Sequence, residues 1–161
     1  MRLLAHYPPC FICGHENPTG IRASYYREDD KVIAFCEFQE HHAGYKGIVH
    51  GGLISALLDE ALGRIVASLT QKMVFTGSLN IRFHRPILTG TIVKVEAIMD
   101  KEQRHPKLYW QASGKVFSKE TNELYAQAQG RFFKISEEKY PEILSSLQLE
   151  GCPRSITMED L

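Results

Sequence analysis

The segment from Gly51 to Leu69 constrains the fold more than any other part of the chain. It reads GGLISALLDEALGRIVASL, and its apolar residues recur every three or four positions in two adjacent stripes: Leu53, Leu57, Ala61 and Ile65 beside Ile54, Leu58, Leu62 and Val66. This spacing predicts an α-helix covered over most of its circumference. Because Asp59, Glu60 and Arg64 place charge at its centre, membrane insertion is costly. We therefore expect a central helix buried in a soluble domain.

Runs of residues typical of β-strands flank this helix. Two precede it and four follow, at residues 21–27, 31–39, 73–84, 91–101, 107–118 and 123–135. Residues 1–20 are predicted as a turn-rich lead-in and residues 137–161 as a short helix and tail. The order of elements lacks the regular strand–helix alternation of parallel α/β proteins. It predicts one α+β domain over residues 1–161, in which an antiparallel sheet surrounds a single helix.

The composition excludes several functional classes. The 161 residues carry 19 Lys and Arg against 19 Asp and Glu, so there is no basic excess for nucleic acid or an anionic membrane surface. The N-terminus has no apolar run of signal-peptide length, and the cysteines at 10, 13, 36 and 152 do not make a disulfide framework. We predict a cytoplasmic protein with no nucleic-acid or membrane partner.

The start of the helix carries His50, Gly51 and Gly52 in succession. The first backbone N–H groups of a helix lack partners inside it, and the helix dipole favours negative charge there. Glycines let a ligand carbonyl approach these groups, which are suited to bind a developing oxyanion. The same three residues are also compatible with an ordinary glycine-rich helix start in which His50 is buried and hydrogen-bonded.

Asp59 is unusual because an aspartate is a poor helix former and its charge is costly to bury. Ser55 and Gly63, four residues to either side, leave space next to its carboxylate. The carboxylate is either a nucleophile or general base, or a polar group satisfied at a subunit interface. Glu60 has Arg64 four residues later and is predicted to form a surface ion pair with it.

The lead-in contains Cys10-x-x-Cys13-Gly-His15, which is half of a zinc-binding pattern. The second Cys-x-x-Cys is missing, so such a site needs Cys10, Cys13, His15 and one distant ligand. We assign no metal and no cofactor from the sequence.

A family resemblance follows from these residues. The stretch HGGLISALLDEALG resembles the signature of the hotdog-fold acyl-CoA thioesterases, in the phenylacetate-pathway-like branch related to 4-hydroxybenzoyl-CoA thioesterases. The lead-in around Cys10 and Asn17-Pro18 and the segment from Ser78 to Gly90 also resemble that family, so the likeness covers about residues 10 to 135. It implies a hotdog fold with coenzyme A as part of the substrate.

The resemblance also implies roles for individual residues. Asp59 matches the family's catalytic carboxylate, which attacks the thioester or activates the attacking water. The N–H of Gly51 matches the group that polarises the thioester carbonyl, and Gly52 lies next to it in the substrate site. His50 matches the residue that orients the substrate or the turn, and Thr76 the hydroxyl that positions the carboxylate or water.

The resemblance to the family is less complete at other positions of the site. Some relatives have an asparagine six residues before the motif histidine, where this chain has Gly44, so a side-chain oxyanion donor is in doubt. Asn80, Arg82 and Arg85 are assigned to substrate binding. The cations considered for the phosphates of coenzyme A are Arg82, His84, Arg85, Arg104, Lys107 and Lys115.

In the family two protomers join their sheets, and the glycine turn of one faces the carboxylate of the other, in homodimers or homotetramers. The resemblance implies hydrolysis of a small-to-medium or aryl acyl-CoA. Two alternatives stay open: a non-catalytic protein that binds acyl-CoA, and an enoyl-CoA hydratase that uses Asp59 together with His50.

Overall fold

The structure is a computed structural model that describes residues 1–100, 108–150 and 155–161. Two α-helices lie in these ranges, α1 (Gly51–Thr70) and α2 (Tyr140–Ser146). The strands are β1 (Arg2–Leu3), β2 (Ser24–Glu28), β3 (Lys31–Glu37), β4 (Ala43–Tyr45), β5 (Ile48–Val49), β6 (Val74–Phe83), β7 (Ile92–Met99), β8 (Trp110–Ser118) and β9 (Leu124–Lys134).

Seven strands of the described residues form one sheet in the order β1-β2-β3-β7-β8-β9-β6, and every neighbouring pair is antiparallel. β4 and β5 form a separate small hairpin. The sheet curves around α1, which packs against β2, β3 and β6 through β9. This arrangement confirms the predicted α+β fold with one central helix.

The core lies between α1 and the sheet. The apolar residues of α1 that face the sheet are almost fully buried, and they are Ile54, Leu57, Leu58, Ala61, Leu62, Ile65 and Val66. The helix ends at Gln71, whose φ of 55° is in the left-handed region. No helix in the described ranges has the length and apolar character needed to cross a membrane.

The lead-in is more integrated than the sequence indicated. Its first residues form β1, which pairs with β2, and its side chains enter the core through Leu4, Ile12 and Cys13. A two-residue strand is too short to show the alternation from which strands are predicted. The hairpin of β4 and β5, between the predicted strand at 31–39 and the helix, was missed because its strands are only three and two residues long.

The C-terminal segment begins with two short helical elements. Residues Glu137–Lys139 form a 3₁₀ turn and α2 follows directly. The predicted strand at 107–118 begins at Trp110.

β6 is the last strand of the sheet, and among the described residues it pairs with β9 along one side. Its other side presents the unpaired N–H and C=O groups of an edge strand. Two large apolar side chains of β6, Phe75 and Phe83, are 52% and 50% exposed. A ten-residue edge with exposed aromatic rings is suited to pair with another strand.

Candidate functional site

The turn before α1 is fixed by His50, which caps the helix. The His50 backbone is extended, and its Nδ1 accepts a hydrogen bond of 2.9 Å from the Gly52 N–H. Its carbonyl accepts the first helical bond from Leu53 at 3.0 Å. These bonds hold His50 in the turn, and the residue is exposed and not buried.

Gly51 is the first residue of α1, and its N–H forms no hydrogen bond with any other residue that the structure describes. The residue is exposed, and a Cβ added to it would lie 3.7 Å from the Phe83 ring. The Gly51 N–H is therefore a free donor at the positive end of the helix dipole, next to an aromatic side chain. Such a group can stabilise negative charge on a carbonyl oxygen.

Phe83 was not identified from the sequence as a site residue. It is at the end of β6 and follows Leu79 and Ile81, which pack against the core. This alternation places Phe83 on the helix-facing side of the strand. The available signal was an aromatic residue at the helix-facing end of a strand, but the sequence does not show that the strand ends beside Gly51.

Asp59 and Thr76 come together as the sequence analysis expected. The Thr76 hydroxyl donates a hydrogen bond of 2.7 Å to Oδ1 of Asp59. Asp59 is half-buried on α1, and Thr76 is exposed on the edge strand β6. β6 shifts register against β9 between Thr76 and Ser78, next to this contact. The bond fixes one carboxylate oxygen and leaves Oδ2 available for chemistry.

Gly51 and Asp59 of one chain are too far apart to act on the same carbonyl group. Eight residues separate them on one helix, which at 1.5 Å per residue is about 12 Å along the axis. A reacting oxygen must come within about 3.5 Å of the carbonyl carbon whose oxygen the donor holds. One chain alone cannot complete this constellation.

The loop before the helix explains the glycine at position 44. A Cβ on Gly44 would lie 3.0 Å from the Cδ2 of His50 and 3.1 Å from its Cα, closer than nearly all such contacts. A side chain at position 44 therefore requires His50 to shift by a few tenths of an ångström. The turn before the helix is held by His42, whose backbone carbonyl accepts a hydrogen bond of 2.9 Å from the His50 N–H.

His42 is buried and makes two hydrogen bonds with its ring. Its Nδ1 accepts from the Gln39 N–H at 3.0 Å, which leaves Nε2 to donate to the Thr19 carbonyl at 3.2 Å. Burial lowers the pKa of His42 below its ordinary value of 6.5, because the charged imidazolium is poorly solvated there. The neutral His42 ring therefore joins the lead-in, at Thr19, to the segment that precedes α1, at Gln39.

Two of the residues assigned to substrate binding lie on the outer face of the sheet. Asn80 and Arg82 alternate with Leu79 and Ile81, so they lie on the outer face, away from α1. Two shallow grooves lie on this face. Asn80 lines the one of about 930 Å³, and Asn80 and Arg82 both line the one of about 720 Å³. The structure does not bring them to Asp59 within one chain.

The remaining candidate cations are also scattered. Arg85 follows β6 and forms an ion pair with Glu123, and His84 next to it is exposed. Lys115 lines the smaller outer groove. Arg104 and Lys107 lie outside the described residues.

The predicted surface ion pair of Glu60 and Arg64 is wrong in its location. The pair forms at 2.8 Å, but the two side chains are only 19% and 14% exposed. Arg64 also donates to the Ala5 carbonyl and stacks on the Tyr25 ring, 4.5 Å from its centroid. The spacing on the helix predicted the pair, and the lead-in that covers it could not be predicted from that spacing.

The position of His50 bears on hydratase chemistry. Because Nδ1 accepts the hydrogen bond from Gly52, the neutral ring carries its proton on Nε2. In that form the exposed nitrogen of His50 is a donor and not a base. The hydratase alternative requires Asp59 and His50 to face the substrate together, and His50 has only its Nε2 side available because Nδ1 caps the helix.

The chain is similar to known thioesterases in sequence and in fold. Residues 46–105 match the family model described as Thioesterase superfamily. Acyl-coenzyme A thioesterase THEM4 of Bos taurus is 33% identical over 80% of this chain and 52% of its own length, so the chain spans about half of that relative. The E. coli PaaI protein from the phenylacetic acid degradation operon superposes with a TM-score of 0.64, at 14% identity over 72% of this chain and 81% of its own.

A third likeness concerns a hypothetical thioesterase protein from Streptococcus pneumoniae TIGR4, whose structure was solved with coenzyme A. It superposes with a TM-score of 0.63, at 16% identity over 71% of this chain and 89% of its own. At this level of identity the two structural likenesses show that the fold is shared. The hotdog fold expected from the sequence is confirmed.

Proposed function

Since this chain belongs to the thioesterase superfamily of hotdog-fold proteins, we propose that it hydrolyses acyl-CoA thioesters to a free acid and coenzyme A. The observation that carries the proposal is the pair of reactive features on α1. A free N–H at Gly51 begins the helix, and a carboxylate at Asp59, oriented by Thr76, lies two turns later. A donor for an oxyanion and an oriented carboxylate are the two groups that acyl transfer requires.

The site is completed by a second copy of the chain. Ser55 lies on α1 midway between Gly51 and Asp59, four residues from each. If two α1 helices cross antiparallel at Ser55, Gly51 of each lies opposite Asp59 of the other, as two-fold symmetry requires. The free edge of β6 then pairs with its symmetry mate, which joins the two sheets. Assembly beyond this dimer, into a tetramer, is compatible with the same site.

The proposed reaction proceeds through a tetrahedral intermediate. The thioester carbonyl oxygen accepts a hydrogen bond from the Gly51 N–H, which stabilises the negative charge as the carbon is attacked. Asp59 acts in one of two ways: its Oδ2 attacks the carbon and water hydrolyses the resulting anhydride, or it removes a proton from an attacking water. In both cases the carbon–sulfur bond breaks, and coenzyme A leaves as a thiolate that takes up a proton.

The acyl group is proposed to be small-to-medium or aryl, because the exposed ring of Phe83 next to Gly51 offers an apolar contact for it. Arg82 and Arg85 stay proposed for substrate binding. The coenzyme A complex of the pneumococcal fold relative supports this choice of thiol carrier over a pantetheine-bearing protein.

The experiment measures thiol release from a panel of acyl-CoA thioesters by the native chain and by Asp59→Asn. The amide keeps the size and the hydrogen bond from Thr76 but removes the base or nucleophile, so kcat should fall by about two to four orders of magnitude. Asp29→Asn is the matched control, because Asp29 has a φ of 51° in the β2–β3 turn, which asparagine tolerates. Its activity should equal that of the native chain.

Each other outcome has a definite meaning. Full activity in a folded Asp59→Asn variant overturns the role assigned to Asp59. Binding of acyl-CoA without turnover by the native chain overturns the enzymatic proposal and establishes the non-catalytic binder.

A further inference from the structure

A second cluster of reactive side chains lies on another face of α1 from Asp59. The Sγ atoms of Cys10 and Cys13 and a carboxylate oxygen of Glu60 all lie within 4.8 Å of one another. The cysteines belong to the lead-in and Glu60 to the central helix, so two separate parts of the chain converge here. Cys13 is buried, and Cys10 and Glu60 are partly buried. The thioesterase chemistry proposed above uses none of these residues.

The lead-in holds the two sulfur atoms in a tight turn. The Ile12 N–H donates to Cys10 Sγ at 3.3 Å, and the Gly14 N–H donates to the Cys10 carbonyl at 3.0 Å. A Cβ on Gly14 would lie 2.2 Å from the Pro8 carbonyl oxygen, so only glycine fits this position. An N–H group directed at a cysteine sulfur favours its thiolate, which is the form that binds metals.

One of the three donor–donor distances, now a hydrogen bond from the Cys10 thiol to Glu60, matches tetrahedral zinc coordination. Cys10 Sγ lies 3.6 Å from Glu60 Oε2. In tetrahedral zinc coordination, with Zn–S near 2.3 Å and Zn–O near 2.1 Å, a sulfur and an oxygen ligand are about 3.6 Å apart. These two ligands therefore already have the separation that zinc requires.

The surrounding charge selects the type of ion. Arg64 binds the other carboxylate oxygen, Glu60 Oε1, through Nε at 2.9 Å and Nη2 at 2.8 Å, so this pair is neutral. A divalent cation bound by two thiolates adds no net charge next to the Arg64 guanidinium. An ion that leaves the thiols protonated, such as Mg²⁺ or Ca²⁺, brings two uncompensated positive charges. The site therefore favours a thiophilic cation.

We propose that Cys10, Cys13 and Glu60 bind one zinc-type divalent cation, with a water molecule as the fourth ligand. Binding releases the two thiol protons to solvent. The ion fastens the lead-in to the helix that carries Asp59, and its role is structural. His15, the third ligand considered from the sequence, instead stacks on His6 with ring centroids 4.7 Å apart. The proposal does not depend on the thioesterase activity.

The test titrates the reduced, metal-free full chain with Zn²⁺ in competition with a chromophoric chelator. We expect one tightly bound ion per chain. Cys10→Ser and Cys13→Ser should each weaken binding by more than roughly 100-fold, beyond the loss that changes outside the ligand sphere cause. Cys36→Ser is the matched control, since Cys36 is a buried cysteine on β3 outside the cluster, and its zinc affinity should be unchanged.

Two spectroscopic measurements use the native chain, so their outcome does not depend on whether a variant folds. With Co²⁺ in place of Zn²⁺, a sulfur-to-cobalt charge-transfer band is expected. X-ray absorption of the zinc-loaded chain should give two sulfur neighbours at about 2.3 Å. Absence of tight binding, a bound ion with no sulfur neighbour, or equal affinity in the folded Cys13→Ser variant overturns the proposal.

Discussion

The Thr76 hydroxyl donates a 2.7 Å hydrogen bond to Oδ1 of Asp59, and this bond joins the edge strand of the sheet to the central helix. The carboxylate of Asp59 is thereby held at one oxygen from outside its own helix. Its orientation depends on β6, the strand through which the proposed dimer forms. Dimer assembly and the position of the carboxylate are therefore coupled.

Replacement of Thr76 should separate orientation from chemistry. Thr76→Val removes the donor at nearly constant volume, and we expect kcat for thioester hydrolysis to fall about 10-fold, because one hydrogen bond to a charged group is lost. Thr76→Ser retains the hydroxyl and should stay within about twofold of the native rate. Equal rates for the valine and serine variants would show that the hydroxyl has no positioning role.

Replacement of Gly51 by proline should remove the oxyanion donor without damage to the helix. Gly51 is the first helical residue, where proline is favoured, and His50 before it has the extended backbone that a following proline requires. We expect a folded dimer whose kcat is reduced by about two to three orders of magnitude. Thioester hydrolysis and thermal unfolding measured together test this, and a folded variant with native kcat would exclude the Gly51 N–H as the donor.

Addition of a methyl group at Gly44 should displace His50. The new Cβ would lie 3.0 to 3.2 Å from three His50 atoms, so Gly44→Ala should cost about 1 kcal/mol through the weakened helix cap. Gly63→Ala is the control, because its Cβ would lie in ordinary contact with Phe132 at 3.7 Å and alanine favours the helix. Chemical denaturation of both should give changes of opposite sign, and an unchanged Gly44→Ala variant would refute the packing argument.

Acidification should destabilise the fold through His42. Because burial lowers its folded pKa below 6.5, the unfolded chain binds more protons, and stability falls as pH drops below about 6.5 until the folded pKa is passed. Protonation at Nδ1 also breaks the bond from the Gln39 N–H. Thermal unfolding between pH 7.5 and 5 should show a smaller loss in His42→Asn than in the native chain.

The control for this prediction is His84→Asn, which replaces an exposed histidine. Its unfolding temperature should follow the native pH dependence. An identical acid loss in the His42 and His84 variants would show that other groups cause the destabilisation.

The central helix and the long strands were predictable because their patterns are local. The two apolar stripes of α1 run from Leu53 to Val66, about four turns. β7 and β9 alternate over eight or more residues, so the order of residues itself shows which face is buried. The helix start at Gly51 was also predictable, since the glycine pair follows a residue able to cap it. The contact of Asp59 with Thr76 was expected only from the family resemblance, because a sequence separation of 17 does not define a distance.

The features that were missed depend on contacts between distant segments. The burial of Glu60 and Arg64 results from the lead-in, which folds over them from 50 residues away. The outward direction of Asn80 and Arg82 depends on the parity of β6 against the core, and the nearby register shift makes that parity hard to derive. In each case the residue could be identified from the sequence, but the surroundings of its side chain depend on the tertiary fold.

The most direct test of the account is complementation between two inactive chains. In a mixed dimer of Asp59→Asn with Gly51→Pro, one site combines the intact Gly51 of the first chain with the intact Asp59 of the second. Random co-assembly makes half of the dimers mixed with one working site in two, so thioesterase activity should recover to about a quarter of the native value. No activity above the sum of the two separate variants, in a preparation shown to contain mixed dimers, would contradict a site shared between two chains.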